Sequence, residues 1–288
     1  MKHLSPLYQL SLGLLCVLAC FFYPQDTQAL SITPARQTAI VDASGATIVP
    51  LFITNNTTKS IVVLPTVEAF TIEDTTQTIL WNKTDPAISW VTTPVKKSQL
   101  DPGESIQVNF TVTIPSSTPP GAHYLGLFAQ EFSYDGQVAV NSRVASLFFL
   151  HVAGPVYETV QLEEINTPHI SFTKNTQLNI RLNNIGNMHV FPTIDIKQRS
   201  LGSKQELVFE ETHIPFLAKT QKNSIYTIPL TWKDIGKNTL ALDIEYGATN
   251  KHITRNISLW YLPIPFISVF IIIFISILLF FIKKTRSS

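Results

Sequence analysis

From Ser105 to Pro115, Ile106, Val108, Phe110, Val112 and Ile114 alternate with Gln107, Asn109, Thr111 and Thr113. Period two over that length specifies a strand with one buried face and one wet face, a pattern no helix satisfies. The same alternation returns at Leu178, Ile180 and Leu182, at Tyr226, Ile228, Leu230 and Trp232, and at Leu240, Leu242, Ile244 and Tyr246. Leu147-Phe148-Phe149-Leu150 is apolar on both sides and predicts a central strand rather than an edge. Short strands in a chain rich in Thr, Ile, Val, Asn and Pro predict an all-β protein built as two tandem immunoglobulin-like β-sandwich domains.

Two stretches resemble each other. Asn55-Asn56 is followed by Val63-Leu64-Pro65-Thr66-Val67-Glu68, and Asn183-Asn184 by Val190-Phe191-Pro192-Thr193-Ile194-Asp195. Asn tolerates the left-handed backbone of a tight connection, and Pro is confined to strand starts and edges, so one hairpin is used twice. Ala153-Gly154-Pro155 breaks the apolar strand before it. The expected division is a first sandwich over 30–153 and a second over 156–258, each of single-domain size.

The ends carry apolar runs. Lys2, the run from about Leu10 to Tyr23 and the small-residue exit Thr27-Gln28-Ala29 have the layout of a signal peptide over 1–29; the competing reading is a lipoprotein site at Val17-Leu18-Ala19-Cys20. Residues 263–282 carry no charge and are followed by the basic tail 283–288, which predicts one C-terminal transmembrane helix with a cytoplasmic end. The expected location is therefore the cell membrane, single-pass type I, with the ectodomain extracellular. Signal cleavage removes Cys16 and Cys20, which excludes disulfides and cysteine chemistry from the exported part and favours a bacterial surface over a cross-linked receptor domain. The chain has 21 basic and 20 acidic side chains; setting aside Lys2, Lys283, Lys284, Arg286 and Asp26 leaves 17 and 19, about −2. Without a basic stripe, nucleic acid is not an expected partner.

Chemistry-bearing motifs are few. Leu100-Asp101-Pro102-Gly103-Glu104-Ser105 is a turn signature. The rigid stretch from Pro115 leads to Gly121, His123 and Tyr124, which with Trp90 form a candidate contact surface, since aromatic rings give large area at low entropy cost; the structural reading is that Tyr124 packs inward. Of Trp81 and Trp90, one is expected in the core. His123, His151, His169, His189, His213 and His252 lack the spacing of a metal site, and the adjacent acids Glu163-Glu164 and Glu210-Glu211 point to opposite faces of a strand. Neither a phosphate loop nor a nucleophile elbow is present, so catalysis, metals and cofactors are not expected.

Taken together, these segments resemble the WxL-interacting protein family. Ile32-Thr33-Pro34-Ala35-Arg36-Gln37, the strand into Asn55-Asn56-Thr57, and Pro119-Pro120-Gly121 before Leu125-Gly126-Leu127 are similar to its peptidoglycan-binding module. Asn223 to Trp232, Gly236 and the strand from Leu240 to Tyr246 are similar to its partner-binding module. The resemblance implies a non-catalytic membrane-held adaptor that binds peptidoglycan or another wall polymer with one domain and a surface or host protein with the other. The alternative is a membrane-tethered assembly chaperone or scaffold for exported surface proteins; its discriminator is the anchor, since a chaperone that releases its client is typically soluble, and a basic residue pair deep in a cleft between the domains would favour it, with Arg36 the one candidate near the first strand. An enzyme would need a converging polar cluster that the sequence does not assemble.

Overall fold

The computed structural model describes residues 30–74, 76–135, 138–140, 142–200, 203–212 and 215–286, with the side chains at 132–135, 138–140, 280, 281 and 283–286 left aside. The described chain is mostly β. Its strands are β1 (Leu30–Thr33), β2 (Arg36–Val41), β3 (Ala46–Asn55), β4 (Ile61–Ile72), β5 (Ile79–Asn82), β6 (Val91–Thr92), β7 (Ser98–Leu100), β8 (Ser105–Thr113), β9 (Gly121–Asp135), β10 (Val138–Val140) and β11 (Arg143–Val152). They continue with β12 (Val160–Asn166), β13 (Ile170–Ser171), β14 (Asn175–Asn184), β15 (Thr193–Ser200), β16 (Glu206–Glu211), β17 (Gln221–Pro229), β18 (Gly236–Tyr246) and β19 (Lys251–Tyr261), and the chain ends in helix α1 (Ile264–Arg286).

The first eleven strands make two sheets, ordered β1-β3-β8-β6 and β2-β11-β9-β4-β5, with β10 beside β9 and β7 beside β4. The alternation read from the sequence explains their packing. Val49, Leu51 and Ile53 of β3 and Val108, Phe110 and Val112 of β8 turn inward and meet Leu125, Leu127, Phe148 and Leu150 of the facing sheet. Ile48 and Phe52 point to solvent. The second group forms sheets β12-β14-β17 and β13-β19-β18-β15-β16 around their own core of Leu178, Ile180, Leu182, Ile228, Leu240, Leu242 and Ile244. β11 is central, between β2 and β9, as its doubly apolar sequence predicts.

Each sandwich has a buried asparagine that makes the same network. Asn55 Nδ2 donates to the carbonyls of Lys59 (2.9 Å) and Leu100 (3.0 Å), and its Oδ1 accepts from the Thr57 amide (2.9 Å). Asn184 Nδ2 donates to the carbonyls of Met188 (2.9 Å) and Phe216 (3.1 Å), and its Oδ1 accepts from the Gly186 amide (3.0 Å). The main chains repeat as well: the Asn55 carbonyl accepts from Gly103 and the Asn184 carbonyl from Lys219, and these two donors have φ of 78° and 57°. The repeat therefore aligns Asn55 with Asn184, one residue off the pairing of Asn55-Asn56 with Asn183-Asn184. The amide that saturates the turn fixes this register, and its identical neighbour does not.

The expected signal peptide, with both cysteines, lies outside the described residues. The expected transmembrane helix is corrected: among the described residues no helix is long and apolar enough to cross a membrane. Single-pass type I membrane localisation has no support from this helix, and the side chains of the basic tail 283–288 lie outside the described ones.

Candidate functional site

The outer face of the β2-β11-β9-β4-β5 sheet is where the two sandwiches meet. Alternation turns Arg36 of β2, Phe149 of β11, Tyr124 of β9, Phe70 of β4 and Trp81 of β5 to that face. Phe70 and Phe149 are buried with Leu217 of the second sandwich, and Trp81, Tyr124 and Leu147 pack around them. The aromatic rings meet edge-on or tilted at 5.6–5.8 Å between centroids across Phe70, Tyr124 and Phe149. These contacts cover a sheet face that would otherwise be an exposed apolar patch.

Asn187 rivets the seam. Its Nδ2 donates to the carbonyls of Pro120 (3.1 Å) and Pro155 (2.9 Å), its Oδ1 accepts from the Tyr157 amide (2.7 Å), and its carbonyl accepts from the Ala122 amide (2.8 Å). A Cβ on Gly121 would sit 3.0 Å from that Asn187 carbonyl, and φ is +149° there, so Gly121 is the residue that lets the two chains approach. Asn223 adds a second tie, donating its amide to the Asp74 carbonyl at 3.0 Å.

The four residues read as a contact surface fall in and beside this seam. Gly121 faces Asn187, and Tyr124 Oη accepts from the Ala218 amide at 2.9 Å while burial pushes the phenol pKa up. His123 stacks edge-on against Trp90 at 4.6 Å, and Trp90 packs on the first core. His123 also lines a cleft of about 210 Å³ with Pro119, Pro120, Asn187, Ala218 and Lys219. Its pKa is lowered, first by burial, with Asp85 opposing that effect and Lys219 adding to it.

Arg36 sits at the mouth of the same seam. Its guanidinium lies over the Phe149 ring at 4.2 Å and near Phe191 of the second sandwich at 5.8 Å. Among the described residues it forms no ion pair, and a guanidinium stacked on a ring keeps its N–H donors in its own plane. His189 stands beside it, its ring 5.3 Å from Phe149 and 5.4 Å from Phe191. Further along the face, Arg143 donates to Glu68 at 2.8 Å and covers Phe128 at 4.5 Å. Trp81 lies over Gly126, where a Cβ would come within 2.4 Å of the indole.

The sheet edges near this face differ. β12 is bulged between Leu162 and Glu164 and β16 between Ile196 and Lys197 of its partner strand. β17 carries the inward Lys222, whose side chain is 4% exposed and paired with Glu211 at 2.8 Å, and it ends in Pro229. Bulges, inward charges and proline are devices that prevent a foreign strand from adding. β11 pairs with β9 over Arg143–Val152 but with β2 only over Leu147–Val152. On the β2 side, no strand pairs with Arg143–Ser146 among the described residues, and the chain leading into β2 lies against only its end, where the buried Ser146 hydroxyl donates to the Pro34 carbonyl at 2.7 Å. The Leu147 amide donates to Ala35 and the Ser142 carbonyl accepts from Glu131, so alternation turns the N–H and C=O of Arg143 and Ala145 toward the open side.

The sequence missed Asn187, His189 and Arg143. Gly186-Asn187 reads only as a turn pair, and nothing local indicates which carbonyls a half-buried asparagine will find 32 or 67 positions away.

No family model matches the chain, and no curated protein matches it. Among solved structures it is similar to the class 5 fimbriae chaperone CfaA, with 10% identity over 79% of this chain and 98% of that one and a TM-score of 0.46. It is also similar to the E. coli chaperone DraB, with 14% identity over 79% and 96% and a TM-score of 0.40. A Salmonella enterica complex of SafA pilin with the SafB chaperone gives 10% identity over 81% and 98% and a TM-score of 0.41. The resemblance to the WxL-interacting family is corrected: no family model carries it, and the solved structures found include several fimbrial chaperones. Peptidoglycan or another wall polymer and a single-span membrane as partners are corrected with it: no family model carries them, and the matched structures include a chaperone with a tip adhesin and one with a pilin.

Proposed function

We propose that this chain is a non-catalytic chaperone or scaffold for exported surface proteins, which holds an extended client segment on the open run of β11. The observation that carries this reading is the pairing gap at Arg143–Ser146 beside edges that are bulged, charged inward or closed by proline. Backbone hydrogen bonds to Arg143 and Ala145 supply affinity that is indifferent to side-chain identity. A client strand laid there ends short of the Pro34-Ala35 segment that leads into β2, and the Arg36 guanidinium, stacked on Phe149, suits a carboxylate brought to that end.

The test uses fluorescent decapeptides of alternating apolar and polar residues, as free acids and as C-terminal amides, titrated into the full chain. Wild type is expected to bind the free acid more tightly. Ala145→Pro removes an outward N–H while sparing the β9 ladder and is expected to weaken both peptides about tenfold or more, the loss of a backbone bond and its register. Arg36→Ala is expected to abolish the preference for the free acid. Equal binding by wild type and Ala145→Pro would refute the reading.

A further inference from the structure

The seam between the sandwiches contains a group suited to sense acid. The His189 ring is wedged among Phe149, Tyr124 and Phe191, at centroid distances of 5.3, 6.0 and 5.4 Å. Its Nδ1 is buried and has no hydrogen-bond partner. A neutral imidazole tolerates that position, because a bare lone pair against aromatic rings forgoes one weak bond. An imidazolium does not, since it places both a charge and an unsatisfied N–H donor in the same apolar setting. We propose that the seam is acid-labile: protonation of His189 expels its ring from between the two sandwiches and lets them part without unfolding either one.

The charged surroundings favour this direction. Arg36 of β2 and His151 of β11 both face His189 and disfavour a second cation; Glu158, in the segment joining the sandwiches, favours one. Glu158 Oε2 already accepts the Ala248 amide at 2.8 Å and is thereby held toward the second sandwich. Burial is the largest of the influences that lower the His189 pKa, followed by Arg36 and His151. The sign follows. The parted state, with its imidazole in water, titrates near the ordinary value of about 6.5, and the closed state titrates below it. Closure is fully favoured above the open-state value and is lost as pH falls through the window down to the lowered closed-state value. One proton links the two states, so the open-to-closed ratio rises by at most about tenfold per pH unit. Each sandwich keeps its own core, and of the ties at Asn187 and Asn223 only the bond from Asn223 Nδ2 to Asp74 Oδ2 (3.2 Å) ends on an ionisable side chain.

The test is small-angle scattering of the full chain between pH 7.5 and 5, with far-UV circular dichroism to monitor the strands. Wild type is expected to lengthen below about pH 6.5 with its strand signal constant, whereas His189→Gln is expected to give a pH-independent profile and His151→Gln to retain the response. The proposal is overturned if wild type keeps its dimensions down to pH 5, or if His189→Gln still responds. Should His189→Gln be open at every pH, the NMR titration of His189 in wild type decides, because an imidazole that titrates at or above the ordinary value rules out the switch.

Discussion

A buried primary amide whose two donors and one acceptor are all matched to backbone groups has no equivalent among the other side chains of its size. Asn55 and Asn184 each hold a turn and a carbonyl from another part of the sheet at once. Replacing either with alanine strips buried carbonyls of their donors and is expected to cost about 2–4 kcal/mol by chemical denaturation, in the sandwich that contains it. An effect below about 0.5 kcal/mol would mean that water takes over the role. The paired turn donors make a second comparison. Gly103 adopts φ of 78° without penalty, whereas Lys219 at 57° holds a side chain in the left-handed region. Gly103→Ala is expected to lose about 1 kcal/mol, and Lys219→Gly to stay level or gain up to about 1 kcal/mol, since relieved strain is offset by a more flexible unfolded chain.

At the level of elements, what was legible is what is local. Ser105–Thr113 forms a strand as its alternation required, and Gly236–Tyr246 covers the predicted Leu240–Tyr246 run. Trp232 departs from its pattern: the alternation through Leu230 stops at Pro229, and a short 3-10 turn leaves the indole 59% exposed. The strand ends where Asp234 caps Thr231, which is favourable enough locally to override the period. Pairing order, guarded edges and the seam were not legible, because they depend on partners far apart, such as Tyr124 and Ala218 at a separation of 94 residues. Arg36 had a sequence rationale as a cleft residue, but its stacking on Phe149 required the parallel pairing of β2 with β11 to be known. For the seam itself, Asn187→Ala removes three side-chain hydrogen bonds that join β9, the joining segment and the second sandwich. It is expected to raise the hydrodynamic radius at neutral pH while leaving the unfolding midpoint of each sandwich nearly unchanged; a variant as compact as wild type would assign the joint to the aromatic contacts and the remaining main-chain ties.

Taken whole, the chain from 30 to 286 contains no cysteine, so the two sandwiches are closed by packing and hydrogen bonds only. Where the chain enters and leaves each one therefore decides how it responds to tension. In the first sandwich the chain enters through the four-residue β1, paired with β3, and once that has released the load falls on β2 and the leaving strand β11, which lie side by side and parallel over six residue pairs, Arg36 with Leu147 through Val41 with Val152. A pull on the two ends drags these strands past each other, and the hydrogen bonds between them must fail together. In the second sandwich, the parallel contact between β13 and the last strand β19 is only two pairs long, Ile170 with Trp260 and Ser171 with Tyr261, and the entering strand β12 is antiparallel to β14 and peels from its end. Stretching single molecules from both termini is expected to show two ruptures, the weaker from the second sandwich, and shortening β2 by an Ala39→Pro substitution to lower the stronger one. The parallel pair thus makes the first sandwich a mechanical clasp, able to keep its shape under a load that has already extended its neighbour.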